Sequence, residues 1–225
     1  DFSFNEALRY AVLFNPTAPV RFPNGDFYQA ILFDNFNPVS IIDQNVNIGK
    51  TQNLNYSAKI DYAFTKALTF TANYAQQFNT SLRNEYYSSK SLFRGLNRNG
   101  LARKSSNEGN FTLFEAYGSY AKSSEKLNFN ATAGYSYQEQ QDQGMFVELG
   151  NFPSDALGYS ALQLAGDRIS GLASNVNISS SQSPVNKIIA GFARVSLTFN
   201  NAIFFNASLR REGSTKLGPD NRWGT

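Results

Sequence analysis

The sequence predicts an all-β fold: an antiparallel transmembrane β-barrel segment of about six strands, joined alternately by tight turns and long extracellular loops. Three observations predict it. Apolar and polar residues alternate with period two over most of residues 51–213. The connections between these runs alternate between very short and very long. Charged residues make up only 16% of the chain, against roughly 25% in ordinary soluble domains, while aromatics reach 15%. Mean hydropathy is −0.38, so an aliphatic core does not replace the missing charge. The polar remainder is uncharged, and Asn, with 26 residues, is the commonest amino acid. Such a mixture suits strands with one apolar and one uncharged polar face.

Residues 1–50 form an expected extracellular loop region, punctuated by Asn15-Pro16, Ala18-Pro19, Phe22-Pro23, Asn24-Gly25 and Asn37-Pro38. A short helix is expected near residues 4–14. Period two begins at 53–64, where Leu54, Tyr56, Ala58, Ile60, Tyr62 and Phe64 oppose Asn53, Asn55, Ser57, Lys59 and Asp61. After a turn at Thr65-Lys66, Leu68, Phe70, Ala72 and Tyr74 continue it towards Phe78. A long polar loop is expected at 79–105. The next strand covers 110–121, with Glu115 marking its wet face, and a turn at 122–125 leads to Leu127, Phe129, Ala131, Ala133, Tyr135 and Tyr137. A second long loop is expected at 141–185, with a helical turn near 161–165. Ile189, Ala193, Val195, Leu197 and Phe199 then form a strand that turns at Asn200-Asn201 into Ile203, Phe205, Ala207 and Leu209. Residues 214–225 begin a further loop.

The same strand pattern also fits a soluble antiparallel sheet or sandwich whose aromatics fill a core. The loop asymmetry and the aromatics beside the short turns favour the barrel, whose periplasmic turns are short and carry an aromatic girdle. About six strands cannot close a barrel, because the smallest have about eight. The chain is therefore expected to be an internal segment of a longer polypeptide.

Residue types that are missing exclude most chemistry. With no His there is no Ser-His-Asp triad and no His-ligated metal; with no Cys there is no disulfide, zinc-thiolate site or thiol nucleophile. Neither a catalytic residue nor a metal or cofactor is expected. Net charge +3 with scattered basic residues does not point to nucleic acid.

Residues 207–225 read ASLRREGSTKLGPDNRWGT. This closely resembles a barrel motif of SusC/RagA-type TonB-linked outer-membrane transporters, in which Leu-Arg-Arg-Asp-Gly-Ser leads into Phe-Gly-Pro-x-Asn-Arg-Trp-Gly. Leu209, Arg210, Arg211, Gly213, Ser214, Lys216, Gly218, Pro219, Asn221, Arg222, Trp223 and Gly224 match; Glu212 replaces Asp and Leu217 replaces Phe. Gly191-Phe192-Ala193-Arg194-Val195 is similar to a family strand, and Asn15-Pro16-Thr17-Ala18-Pro19-Val20 to an extracellular run. The resemblance implies a 22-stranded barrel with a plug domain in the whole protein, the bacterial outer membrane as its place, and TonB-driven import of glycan- or peptide-derived nutrients. It implies a SusD-like surface lipoprotein and TonB as partners, beside outer-membrane lipid and lipopolysaccharide. A non-transporting scaffold member of the same family and a soluble carbohydrate-binding sandwich are the alternatives.

Within the long loops, no carboxylate occurs between Glu85 and Glu108, while Lys90, Arg94, Arg98, Arg103 and Lys104 do. Guanidiniums grip carboxylates or phosphates, and tyrosine rings stack on sugars or peptide side chains. Tyr86, Tyr87, Arg94 and Arg98 are therefore the expected substrate- or partner-binding residues. Ordinary loop solubility explains the same composition without a site.

Overall fold

The computed structural model describes residues 2–30, 35–169 and 175–224. Residues 31–34 of the expected 1–50 loop region and 170–174 of the expected 141–185 loop lie outside the described residues. Two helices come first, α1 (Phe2–Leu13) and α2 (Pro38–Asp43). The strands are β1 (Asn45–Ala63), β2 (Leu68–Tyr87), β3 (Leu101–Ser123), β4 (Leu127–Gly150), β5 (Asn177–Gln182), β6 (Asn186–Phe199), β7 (Ile203–Ser214) and β8 (Trp223–Gly224), with a short helix α3 (Gly166–Ile169) before β5. They form one eight-stranded sheet in the order β1-β2-β3-β4-β6-β7-β8, and β5 also pairs with β4.

This sheet is open, and it corrects the sequence reading in three ways. The strands lie along a path whose ends, β1 and β8, do not meet, so the expected transmembrane barrel segment is not what the chain forms. Among the described residues there are eight strands rather than about six. They belong to one sheet, where a sandwich requires two. Of the two unforeseen strands, β8 has only two residues and β5, NISSSQ, is polar on both faces but for Ile178, so neither displays a period. The barrel reading rested on alternating short and long connections, but long connections imply a barrel only if they are free loops. Here strand pairing runs deep into both: β2 continues to Tyr87, β3 begins at Leu101 and β4 continues to Gly150.

The chain divides into two compact units. The second comprises Gln52–Thr80, Glu108–Gln143 and Gln182–Thr225. It contains the hairpin turns, each with a local chemical cause. Thr65 Oγ1 accepts from the N–H groups of Ala67 and Leu68 at 3.2 and 3.0 Å. Asn200 and Asn201 take φ of 51° and 54°, the left-handed values that a type I′ turn needs at both central positions. Asn tolerates them because its short polar side chain can bond locally. β4 pairs with β6 from Leu127↔Phe199 to Gln140↔Asn186, and β6 with β7 from Phe199↔Ile203 to Ile188↔Ser214. Gly134 sits opposite Phe192 and below Tyr117, whose rings are 6.4 Å apart; a Cβ there would stand 2.4 Å from Tyr117 Cβ. The tail motif has a comparable reason. Trp223 pairs with Gly213 and lays its ring 3.0 Å from where a Cβ would be, and the Arg211 guanidinium lies 5.7 Å from that ring.

The first unit comprises Asp1–Thr51, Ser81–Asn107 and Gly144–Ser181. Asn37 organises its start. It caps α2 by accepting from Val39 and Ser40 N–H, while its Nδ2 donates to the carbonyls of Val20 and Tyr28, both at 2.8 Å. Pro38 at the first helical turn loses no hydrogen bond there. The unit also holds two small buried clusters, built largely from residues the sequence placed in loops.

Candidate functional site

The site grows from one feature of strands: consecutive side chains point to opposite faces. Tyr86 and Tyr87, at the end of β2, are 4% and 1% exposed, so both faces are covered. Tyr87 packs with Ala7, Ile41, Phe93 and Leu101, joined by Tyr10 and Phe36. Tyr86 packs with Ala102, Leu149, Phe152 and Ala165. β3 repeats the device with Leu101 on one face and Ala102 on the other. Edge-on ring contacts close both clusters, Tyr87–Phe93 at 5.9 Å and Tyr86–Phe152 at 5.6 Å.

The guanidiniums lie at the rim of this core. Arg94, whose φ is 70°, places its guanidinium 4.8 Å from the Phe93 ring and 5.6 Å from Tyr87, with Glu6 at 3.9 Å. Arg98 is the hub. Its Nη2 donates to Asp167 Oδ2 at 2.6 Å and to the Asn175 carbonyl at 2.8 Å, and its Nη1 reaches Glu148 at 3.5 Å. Its backbone carbonyl accepts from Asn151 N–H at 2.6 Å. Asp167 is 4% exposed and also accepts from Gly150 N–H at 2.7 Å. One side chain thus ties the turn at residues 96–98, the end of β4, α3 and Asn175 together. Arg103 extends the network, bridging Glu148 and Glu85, and Glu85 also pairs with Arg83 at 3.3 Å.

Asp155 forms a second tie. It accepts from the Tyr86 hydroxyl at 2.7 Å, Ser89 N–H at 2.9 Å and the Ser89 hydroxyl at 2.8 Å. Burial alone would raise its carboxyl pKa, but these hydrogen bonds outweigh burial and hold it below the ordinary value of 3.8. Burial, then the Asp155 hydrogen bond, push the Tyr86 phenol well up. Tyr87 is raised too, first by burial and then by Glu85. The sign for Asp155 follows from its depressed folded value. Its contribution is present above the unfolded value near 3.8 and is lost as pH falls through the folded one. Under acid titration, the near-UV circular dichroism of the protein should show this tie persisting to about pH 4 and releasing below it, and Asp155→Asn should remove that acid step. Release centred above about pH 5 would contradict the assignment.

All four residues singled out from the sequence fall in this unit, on two sides of one strand layer: Tyr87 and Arg94 on one, Tyr86 and Arg98 on the other. Composition pointed to them but not to their partners. Glu85, Glu148, Asp155 and Asp167 were not among the expected binding residues, though Glu148, Asp155 and Asp167 lie in the acidic stretch from Glu139 to Lys187 that contrasts with the basic loop. Beside the network lies a polar concavity of about 610 Å³ lined by Asn47, Thr51, Ser81, Arg83, Ser105 and Asn107 among others. Its donors and acceptors are amides, hydroxyls and one guanidinium already engaged by Glu85 and Asn47. The chain has neither His nor Cys, its buried carboxylates Glu85 and Asp167 are ion-paired, and no metal-holding cluster occurs among the described residues.

No family model matches the chain. A TonB-dependent receptor P3 of Formosa agariphila is 24% identical over 188 residues, which is 83% of this chain and 18% of that protein. Among solved structures, the RagAB peptide transporter aligns with 89% of the chain at a TM-score of 0.76 and 16% identity, over 22% of its own chain. The closed-closed and open-open states of the RagAB peptide importer align with TM-scores of 0.75 and 0.74, again at 16% identity and 22% of their chains. The chain thus spans about a fifth of the proteins it matches. At such identities the likeness is one of fold. It does not show a family, and the resemblance read from the sequence is corrected in one respect: this stretch is an open antiparallel sheet, not a barrel segment.

Proposed function

We infer that the chain is a structural scaffold within an outer-membrane assembly of the SusC/RagA kind, not itself the carrier of a substrate. The ion-paired core around Arg98 carries this reading. A carrier's recognition loops are drawn from the least stable parts of a structure, because they must rearrange. Here the corresponding segments converge on a saturated network, which suits a surface held in one shape. Tyr86, Tyr87, Arg94 and Arg98 then serve recognition as positioning residues. They fix the segments at 88–100 and 151–169, whose exposed side chains meet the partner. A SusD-like surface lipoprotein is that partner, and the outer membrane is the place. Import of glycan or peptide pieces, driven through TonB, belongs to other members of such an assembly.

The test is complementation of a deletion strain with the full-length protein, reading two quantities together. The surface lipoprotein should co-purify with it from the outer membrane, and TonB-energised uptake of oligosaccharides and oligopeptides should stay at the level of the deletion strain. Restored uptake, or failure to retain the lipoprotein, would overturn the scaffold reading.

A further inference from the structure

The geometry points to Asn24 as a site of spontaneous covalent modification, deamidation through a cyclic imide, from which the fold protects the second Asn-Gly pair, Asn99-Gly100. The sequence holds two Asn-Gly pairs, and both glycines have the same intrinsic advantage: no Cβ hinders approach of their nitrogen to the preceding side chain. In the reaction the Gly25 nitrogen attacks Asn24 Cγ. An N–Cγ bond forms, the Cγ–Nδ2 bond breaks, and ammonia leaves with the proton that Gly25 N–H gives up. Water then opens the imide to aspartate or isoaspartate at position 24.

Both glycines have positive φ and both Asn side chains are exposed and hydrogen-bonded; the sites differ in the burial of the glycine and in what its nitrogen and the Asn amide are tied to. Asn24 and Gly25 lie in an exposed turn, Gly25 has φ +90°, and no atom lies within 4 Å of the place its Cβ would occupy. Asn24 Oδ1 accepts from Asp26 N–H at 3.1 Å, which polarises Cγ and places a donor where negative charge develops during attack. The Gly25 N–H is held by one hydrogen bond, to the Phe22 carbonyl at 2.9 Å, which opening of this exposed turn releases. Asn99 is exposed but tied to the segment at 151–152. Its Nδ2 donates to Asn151 Oδ1 and to the Phe152 carbonyl, and its own carbonyl accepts from Phe152 N–H at 2.9 Å. Gly100 is buried, its N–H donates to the Gly95 carbonyl at 3.0 Å, and the Tyr86 hydroxyl stands 2.6 Å from its Cβ position. Rotating the Asn99 amide onto Gly100 therefore requires opening the core.

The product alters local charge. Asn24 Nδ2 now donates to Asp26 Oδ2 at 2.7 Å. After conversion a second carboxylate faces Asp26 in place of a donor, and like charges at that separation repel. The loosened turn includes the Gly25 carbonyl on which Arg21 rests while it pairs with Asp43 at 2.9 and 3.1 Å. The modification is thus a slow clock that releases the segment before α2.

The test is incubation of the folded full-length protein in mildly alkaline buffer, with tryptic mapping over time. Residues 22–50 and 99–103 fall in separate peptides, so the mass gain and isoaspartyl-methyltransferase labelling are read independently. In the folded protein Asn24 should convert at least roughly tenfold faster than Asn99, and in urea the two rates should converge, because only the fold separates them. Gly25→Ala should suppress the Asn24 product. Equal rates in the folded protein, or no product at Asn24 over a period in which the urea control converts, would overturn the proposal.

Discussion

Replacing Arg98 by Ala should cost about 3–5 kcal/mol, the range for breaking a buried ion pair by removing one partner. The reason is what is lost at a buried carboxylate: Asp167 is 4% exposed, and its 2.6 Å ion pair with Arg98 disappears. Glu148 retains Arg103, so the damage centres on α3 and on the carbonyl of Asn175. Denaturant unfolding of the first unit, followed by amide exchange at Asn151 and Gly166, reads it. Arg98→Lys should recover part of the loss at most, because a single ammonium cannot reproduce the fork that reaches Asp167, Glu148 and the Asn175 carbonyl together. A loss below about 1 kcal/mol would place Arg98 with ordinary surface pairs.

Tyr87→Ala should be comparably severe, about 3–5 kcal/mol as for other large buried aromatics, while Tyr87→Phe should cost no more than about 1.5 kcal/mol. The ring is 1% exposed among Ala7, Ile41, Phe93 and Leu101, so truncation leaves a cavity that two helices and two strands cannot all collapse into. The hydroxyl makes only long contacts, 3.4 Å to Glu85 and 3.4 Å from Arg94. The pair of variants therefore separates packing from recognition. If Tyr87→Phe abolished partner binding while stability stayed unchanged, the hydroxyl would be a contact group and not a buried support.

The sequence was most legible where side chains answer to local rules. Period two located β1, β2, β3, β4, β6 and β7; the Thr65-Lys66 turn declared itself through a hydroxyl that accepts from its own backbone, and Asn200-Asn201 through residues that tolerate positive φ. The tail motif was legible as a pattern, and its Gly213 and Trp223 prove to be one packing contact across β7 and β8. That so few strands cannot close on themselves was legible from their number, but that the open sheet is not a barrel segment was not. Alternating strands and uneven connections are common to open and closed sheets, and the difference lies in whether β1 meets the far edge, which no local period encodes. The site was half legible. Tyr86, Tyr87, Arg94 and Arg98 stood out because acids are absent from 86–107, yet that absence reflects partners supplied from 50 to 69 positions away, Glu148, Asp155 and Asp167. Strand ends covered on both faces also hide their period, so β2 near Tyr87 and β4 near Gly150 read as loop.

Native-state hydrogen exchange on the full-length protein tests the central claim most directly, because that claim is that residues 88–100 and 149–169 are a fixed part of the scaffold. The amides of Asn151, Phe152 and Gly166, which donate to Arg98, Asn99 and Asn151 carbonyls, should be protected to about the same degree as those of β6 and β7. Exchange of these amides at the rate of an open loop, with the strands still protected, would contradict it.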